Sequence, residues 1–151
     1  MINPDWARWI FASVAKYYRE VATDISIPMY LEGTDQITAD LTEYFELRIM
    51  GPQVFQSNKS NRLDIDINLL VTVAKSKPNN YRIHEIGGLL QSKVANIPIC
   101  KIGSKPGDDN SQIFCLTLRN DQPVKWVFLG RIEKSTGLLQ GVVDSRYRNS
   151  L

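Results

Sequence analysis

One histidine, two cysteines and no compact catalytic signature set the first limits on this chain. His84 has no Cys or Asp partner at a motif spacing, so it completes neither a metal-ligand set nor a nucleophile–base–orienter arrangement, and a structural or surface role is expected. Cys100 and Cys115 fall in separate strand-like segments with no Cys or His at ligand spacing; two reduced core thiols are the expectation. GxSxG, GxxxxGK[ST], HExxH and CxxC are all missing, which lowers the odds of an enzyme without closing the case. No apolar run approaches the ~18 residues needed to cross a bilayer, and MINPDWARWIF lacks a basic leader with a small-residue cleavage site. A protein made and kept in the cytoplasm is expected. The formal charge of +2 is spread along the chain without a basic block, so tight DNA binding is not indicated.

What is present is enough for a core. The 151 residues, 43% hydrophobic and 23% charged, fit one domain over residues 1–151 that folds without staples. The most informative stretch is RLDIDINLLVTVA, Arg62 to Ala74, in which Leu63, Ile65, Ile67, Leu69, Val71 and Val73 alternate with Asp64, Asp66, Asn68 and Thr72. Such alternation predicts a half-buried strand with one wet face. At about 3.3 Å per residue it reaches roughly 40 Å, long for a small domain, and a neighbouring subunit that shares or covers part of the sheet is one economical explanation.

The remaining elements follow from punctuation and period. Asn3-Pro4-Asp5 predicts a helix start, with a helix from Pro4 to Thr23 whose stripe is Trp6, Ile10, Val14, Tyr17 and Val21; Trp9 and Tyr18 lie outside it. Ile25 to Glu32 reads as a first strand ended at Gly33, Thr34 to Thr42 as a loop, and Glu43 to Val54 as a second strand disturbed by Gly51-Pro52. The polar turn SNKSN makes the second and third strands an antiparallel pair. After KSKPNN, Tyr81 to Ala95 is the second helix, where Gly87-Gly88 suggests the close approach of another backbone. Ile97 to Ile102, Ile113 to Arg119, Val124 to Lys134 and Leu138 to Tyr147 are further strands, the last three joined as a meander by turns at Asn120 to Pro123 and Ser135 to Gly137. The fold class is α+β: a single domain with a mostly antiparallel mixed β-sheet and two packed α-helices.

Candidate chemistry sits on the alternating strand. Asp64 and Asp66 point the same way, and Glu46 is placed to sit opposite them, a cluster that with Lys75 can hold Mg²⁺ for a nuclease or phosphoesterase. The bland alternative is the solvated face of an antiparallel sheet, the commoner reason for such alternation. Trp6 and Phe45 read as core. Trp9, Tyr44 and Phe55 stand evenly between core and subunit interface, since aromatic residues carry much hot-spot energy. No cofactor is implied.

PDWARWIFASVAKYY, EYFELRIMGPQV, NRLDIDINLLVTV, IHEIGGLLQSKVANIPICKIG and the closing GVVDSRYRNSL together resemble the neck and tail-completion proteins of long-tailed bacteriophages, most closely the tail terminators. The resemblance covers nearly the whole chain and rests on order and texture, without an invariant motif. It implies a non-enzymatic virion subunit, assembled in the host cytoplasm, that forms a homo-oligomeric, hexameric ring at the head-proximal end of the tail. Its implied partners are other copies of itself, the tail-tube protein and the head-side connector or stopper, with viral DNA passing through the lumen and no membrane involved. An adaptor, a stopper, another minor tail protein or a binding module for a host or small-molecule partner are the other readings. In a ring, Glu46, Asp64 and Asp66 suit a lumen or a polar inter-subunit surface, because a lumen with excess cations would retain DNA. The loop Gly103 to Gln112, with Asp108 and Asp109, and the tail Ser145 to Leu151, with Tyr147 and Leu151, are expected to be mobile in the free subunit and to order on assembly.

Overall fold

The computed structural model describes residues 2–33, 42–74, 81–131 and 137–151, with Arg131 described at its backbone only. Most of the Thr34 to Thr42 loop, the KSKPNN turn with Lys75, and the turn at Ser135-Thr136 lie outside the described residues.

The first helix, α1 (Trp6–Ile25), runs further than Thr23 because its end is capped by backbone geometry. Ser26 takes the left-handed conformation, its N–H bonds to the Thr23 carbonyl, and the Ile27 N–H bonds to the Ala22 carbonyl. This pair of bonds closes a helix in the Schellman manner, and Pro28 then prevents its continuation. The expected strand Ile25 to Glu32 is thereby reduced to β1 (Met29–Leu31). The buried face of α1 keeps Ile10, Val14 and Val21 of the expected stripe but is wider than it. Trp9, Ile10, Ser13, Val14, Ala15, Tyr18 and Val21 face inward, while Tyr17 is half-buried and donates its hydroxyl to the Lys93 carbonyl. Helix α1 packs against β4 (Ile97–Cys100) as well as the main sheet, so it needs a wider apolar face than a single stripe supplies.

The main sheet has five strands in the order β1, β2 (Glu43–Gln56), β3 (Asn61–Ala74), β7 (Leu138–Ser150), β6 (Lys125–Arg131). Among the described residues only β1 and β2 are parallel. The long alternating segment is the central strand: β3 pairs with β2 on one side and β7 on the other over nearly its full length. Its length is thus matched within the chain, and a neighbouring subunit is not needed to explain it. Leu63, Ile65, Ile67, Leu69 and Val71 are almost wholly buried, each contributing about 1.5–3 kcal/mol of apolar burial.

The closing meander is only partly realised. Strand β5 (Gln112–Leu116) pairs with β4 in a separate two-stranded sheet, leaving β6 and β7 as the hairpin. The segment after β5 still touches β7, through the Leu118–Tyr147 bridge and the Arg119 N–H to Arg146 carbonyl bond. Cys100 is half-buried and Cys115 exposed; both thiols are free, so the expectation of two core cysteines is corrected. In β5 it is Leu116 that is buried, and alternation turns Cys115 outward.

The second helix, α2 (Tyr81–Lys93), lies over β3, β7 and β6, so both helices cover one face of the sheet. Gly87 has a close neighbour, but it is a side chain rather than a backbone. A Cβ at Gly87 would lie 2.5 Å from the Trp126 ring, and one at Gly141 of β7 would lie 2.2 Å from the far end of the same ring. Trp126 is therefore wedged between two glycines, and its indole N–H donates to His84 Nδ1 at 2.9 Å. His84 thus has a structural partner, with Phe128 packed at 5.0 Å between ring centres.

Candidate functional site

The face of the sheet that no helix covers among the described residues carries the candidate carboxylates. Directly paired residues share a face, so the strand register defines rows across it. One row runs Tyr30, Glu46, Leu70, Val142, Val127, from β1 to β6. At about 4.8 Å per strand it spans roughly 19 Å. The next row holds Arg48, Asn68, Asp144 and Lys125, with Glu32 at its outer end beside Arg48. Met50, Asp66 and Arg146 form a third row, and Gln53, Asp64 and Arg148 a fourth.

Charges in the lower rows are matched in pairs. Arg148 donates from Nε and Nη2 to the two Asp64 oxygens at 2.9 and 3.2 Å, and Arg62 approaches the same carboxylate at 3.6 Å. These hydrogen bonds, led by Arg148, hold the Asp64 carboxyl below the usual range. Arg146 lies 3.8 Å from both Asp66 and Asp144. Arg48 grips Glu32 with two hydrogen bonds, and Glu32 too is held low by that contact. Matched acid and base of this kind is surface chemistry. A hard cation would have to displace the arginines.

The three carboxylates expected to cluster do not. Met50 faces Asp66 and Gln53 faces Asp64, whereas Glu46 faces Leu70, on the order of 20 Å along β3 from Asp64. The Gly51-Pro52 irregularity shifts the register between Met50 and Gln53, but the larger reason is simply the offset of the hairpin. Glu46 sits instead in the apolar row, and burial, with Glu32 adding to it, pushes its carboxyl above the ordinary range. Among the described residues no three His, Cys, Asp or Glu side chains are grouped to hold a metal ion.

The interface candidates divide sharply. Trp9 is 6% exposed, its indole N–H bonded to Asp108 Oδ1 at 3.0 Å, so it belongs to the subunit's own packing. Tyr147 is fully buried and donates to the Ala95 carbonyl. Burial decides the even balance at Trp9 for the core, and it corrects the expectation at Tyr147. A period-two segment places Tyr147 on the same inward face as Val143, and the C-terminal residues continue β7 instead of fraying. Leu151, partly buried, exchanges two backbone bonds with Asn61. Tyr44 is half-buried in an edge-to-face contact with Tyr30. Phe55 is 48% exposed beneath the Arg62 guanidinium, 4.2 Å from the ring centre.

The Gly103 to Gln112 loop is tied down, contrary to the expectation of a segment that cannot bury itself. Asp108 has a side chain only 1% exposed, receiving two hydrogen bonds from Arg8 at 2.7 and 3.0 Å, one from Trp9 and one from the Lys105 N–H. Arg8 dominates in pulling that carboxyl well below its usual range. Asp109, exposed, accepts from the Ser111 N–H and hydroxyl.

Sequence reasoning passed over the arginines of β7 and the apolar row. Arg146 and Arg148 recur at period two as Asp64 and Asp66 do, a signal that two facing strands of opposite charge were present. The exposed Val127 and Leu129 of β6 lie at the sheet edge, where a register shift between Phe128 and Gly130 accompanies Leu129. A small cleft of about 120 Å³ lies elsewhere, between α1 and β4, lined by Ser13, Lys16, Glu20 and Cys100 among others.

No family model matches the chain, and no curated protein matches it in sequence. Solved structures do match: one superposes with a TM-score of 0.56 at 12% identity, covering 94% of this chain and 94% of its own. At that identity the likeness shows the fold alone. Among the described residues no helix is long and apolar enough to cross a membrane.

Proposed function

We propose that this chain is a structural subunit of the neck of a tailed bacteriophage, a tail terminator that closes the head-proximal end of the tail tube as a homo-oligomeric, hexameric ring. The observation that carries the reading is the open sheet face: one side of a five-stranded sheet that no helix covers among the described residues, with its acids other than Glu46 answered by arginines instead of being gathered at a reaction centre. Among the described residues on or beside that face, Arg48, Arg62, Arg119, Lys125, Arg146 and Arg148 stand with Glu32, Glu46, Asp64, Asp66, Asp121 and Asp144. A charge-balanced surface offers little counterion release to DNA, which suits a ring that DNA must traverse. The order of sequence segments supports the same reading.

The decisive experiment is genetic. Loss of the chain is expected to leave tail tubes that overrun their normal length and fail to join heads, with both defects restored by the intact gene. Tails of normal length that join heads without it would overturn the reading.

A further inference from the structure

The charged row across the open face reads in complementary sign from its two ends. From the β1 side to β6 it runs Glu32, Arg48, Asn68, Asp144, Lys125: acid, base, neutral amide, acid, base. Turned over about an axis along β3, the row lays Glu32 on Lys125 and Arg48 on Asp144, each pair occurring twice, and Asn68 on itself. An amide carries both donor and acceptor, so two copies of Asn68 can pair. The adjoining row turns with it, so that Tyr30 meets Val127, Leu70 meets Leu70 and Glu46 meets Val142.

Pairing within the chain does not impose this order. The sequence acid, base, amide, base, acid would serve neighbouring strands equally well, yet on turning over it would set like charges together. A contact about a two-fold axis requires one patch to be complementary to itself, whereas a contact with a different protein places no such condition on it. The match is also local. One row further on, Met50, Asp66 and Arg146 would bring acid onto acid at the axis, so the contact is centred on two rows and ends at the third.

The side chains of those two rows are placed to meet a partner. No helix covers them among the described residues. Glu32, Arg48, Lys125 and Val127 are exposed, and Tyr30, Leu70 and Val142 are half-buried. Among the described residues Lys125 makes no ion pair. Two sheets packed face to face stand about 10 Å apart, a gap that glutamate, arginine and lysine side chains can bridge.

We infer that a second copy of this chain packs on the open sheet face by two-fold symmetry, with Lys125 of each copy against Glu32 of the other and Arg48 against Asp144. The inference goes beyond the ring reading and does not rest on it, because a two-fold contact closes on itself and yields a dimer of the free chain.

The test is charge reversal in the full chain, read by sedimentation velocity at concentrations up to about 100 µM, where contacts of micromolar strength are populated. The unaltered chain is expected to form a dimer. Lys125→Glu and Glu32→Lys, each checked for native circular dichroism, are expected to dimerise at least tenfold more weakly, because like charges then meet at both ends of the contact. An equimolar mixture of the two, and the double variant carrying both changes, are expected to regain the dimer, since each restores both opposite-charge pairs. Lys125→Gln, which only removes a charge, replaces either reversal that does not fold and is expected to weaken the dimer severalfold. An unaltered chain that stays monomeric, altered chains that dimerise as it does, or a mixture and double variant no better than the single changes would each overturn the contact. All three leave the ring reading standing, since that reading is decided by the neck of particles.

Discussion

Adding one methyl group at Gly87 and one at Gly88 should have opposite effects, although the two residues adjoin on one helix. Both substitutions gain about 1 kcal/mol of helix propensity over glycine. At Gly88 nothing lies within 4 Å of the new Cβ, so Gly88→Ala is expected to stabilise by about 0.5–1 kcal/mol. At Gly87 the Cβ meets three Trp126 ring carbons at 2.5–2.6 Å. The ring cannot retreat, because Gly141 abuts its far end and His84 holds its N–H. Overpacking of this kind costs about 1–3 kcal/mol, which outweighs the propensity gain. Net destabilisation of about 0.5–2 kcal/mol is therefore expected for Gly87→Ala. At roughly 2–4 °C per kcal/mol for a chain of this size, the two variants should differ in Tm by about 2–12 °C. Urea and thermal unfolding read both, and the clash should vanish in a Trp126→Ala background, where Gly87→Ala turns stabilising. If Gly87→Ala stabilises as much as Gly88→Ala in the unaltered background, the wedge is wrong.

Ser13 bonds both the N–H and the carbonyl of Cys100 from a buried site, so Ser13→Ala leaves a strand N–H unsatisfied and should cost about 1–2 kcal/mol in urea unfolding; an unchanged midpoint would contradict it. Asp64 has its carboxyl lowered by Arg148, so its contribution is present above the unfolded value near ~3.9 and is lost as pH falls through the lower folded value. Arg148→Gln should therefore reduce stability at pH 7 and flatten the decline between pH 5 and 2, whereas parallel curves would refute the pairing. Asp108→Asn should weaken the Arg8 and Trp9 clasp, so that amides of residues 103–110 exchange faster than in the unaltered chain; equal exchange would mean that the loop is held by other contacts.

The long central strand, both helices and the turn between the second and third strands were legible because period and punctuation are local. Register was not. Whether Glu46 meets Asp64 depends on how far the second strand slides past the third, and nothing in either segment alone sets that offset. The same limit explains β5, whose pairing with β4 rather than β6 is a choice between similar short strands. Tyr147 and Asp108 were read as assembly contacts and Trp9 stood evenly between core and interface, yet each finds a partner far away in sequence: the Ala95 carbonyl for Tyr147, Arg8 for Asp108 and Asp108 for Trp9. The Gly87-Gly88 pair was read as the close approach of another backbone; a side chain fills the space at Gly87 and nothing lies near Gly88, because glycine reports only that space is available, not what fills it.

The central proposal, a ring at the end of the tail, is tested most directly by electron cryomicroscopy of the neck in particles assembled with this chain. The expected result is a closed ring of six copies seated between the tail tube and the head-side connector. Particles whose neck contains no such ring, or from which the chain is absent, would contradict it.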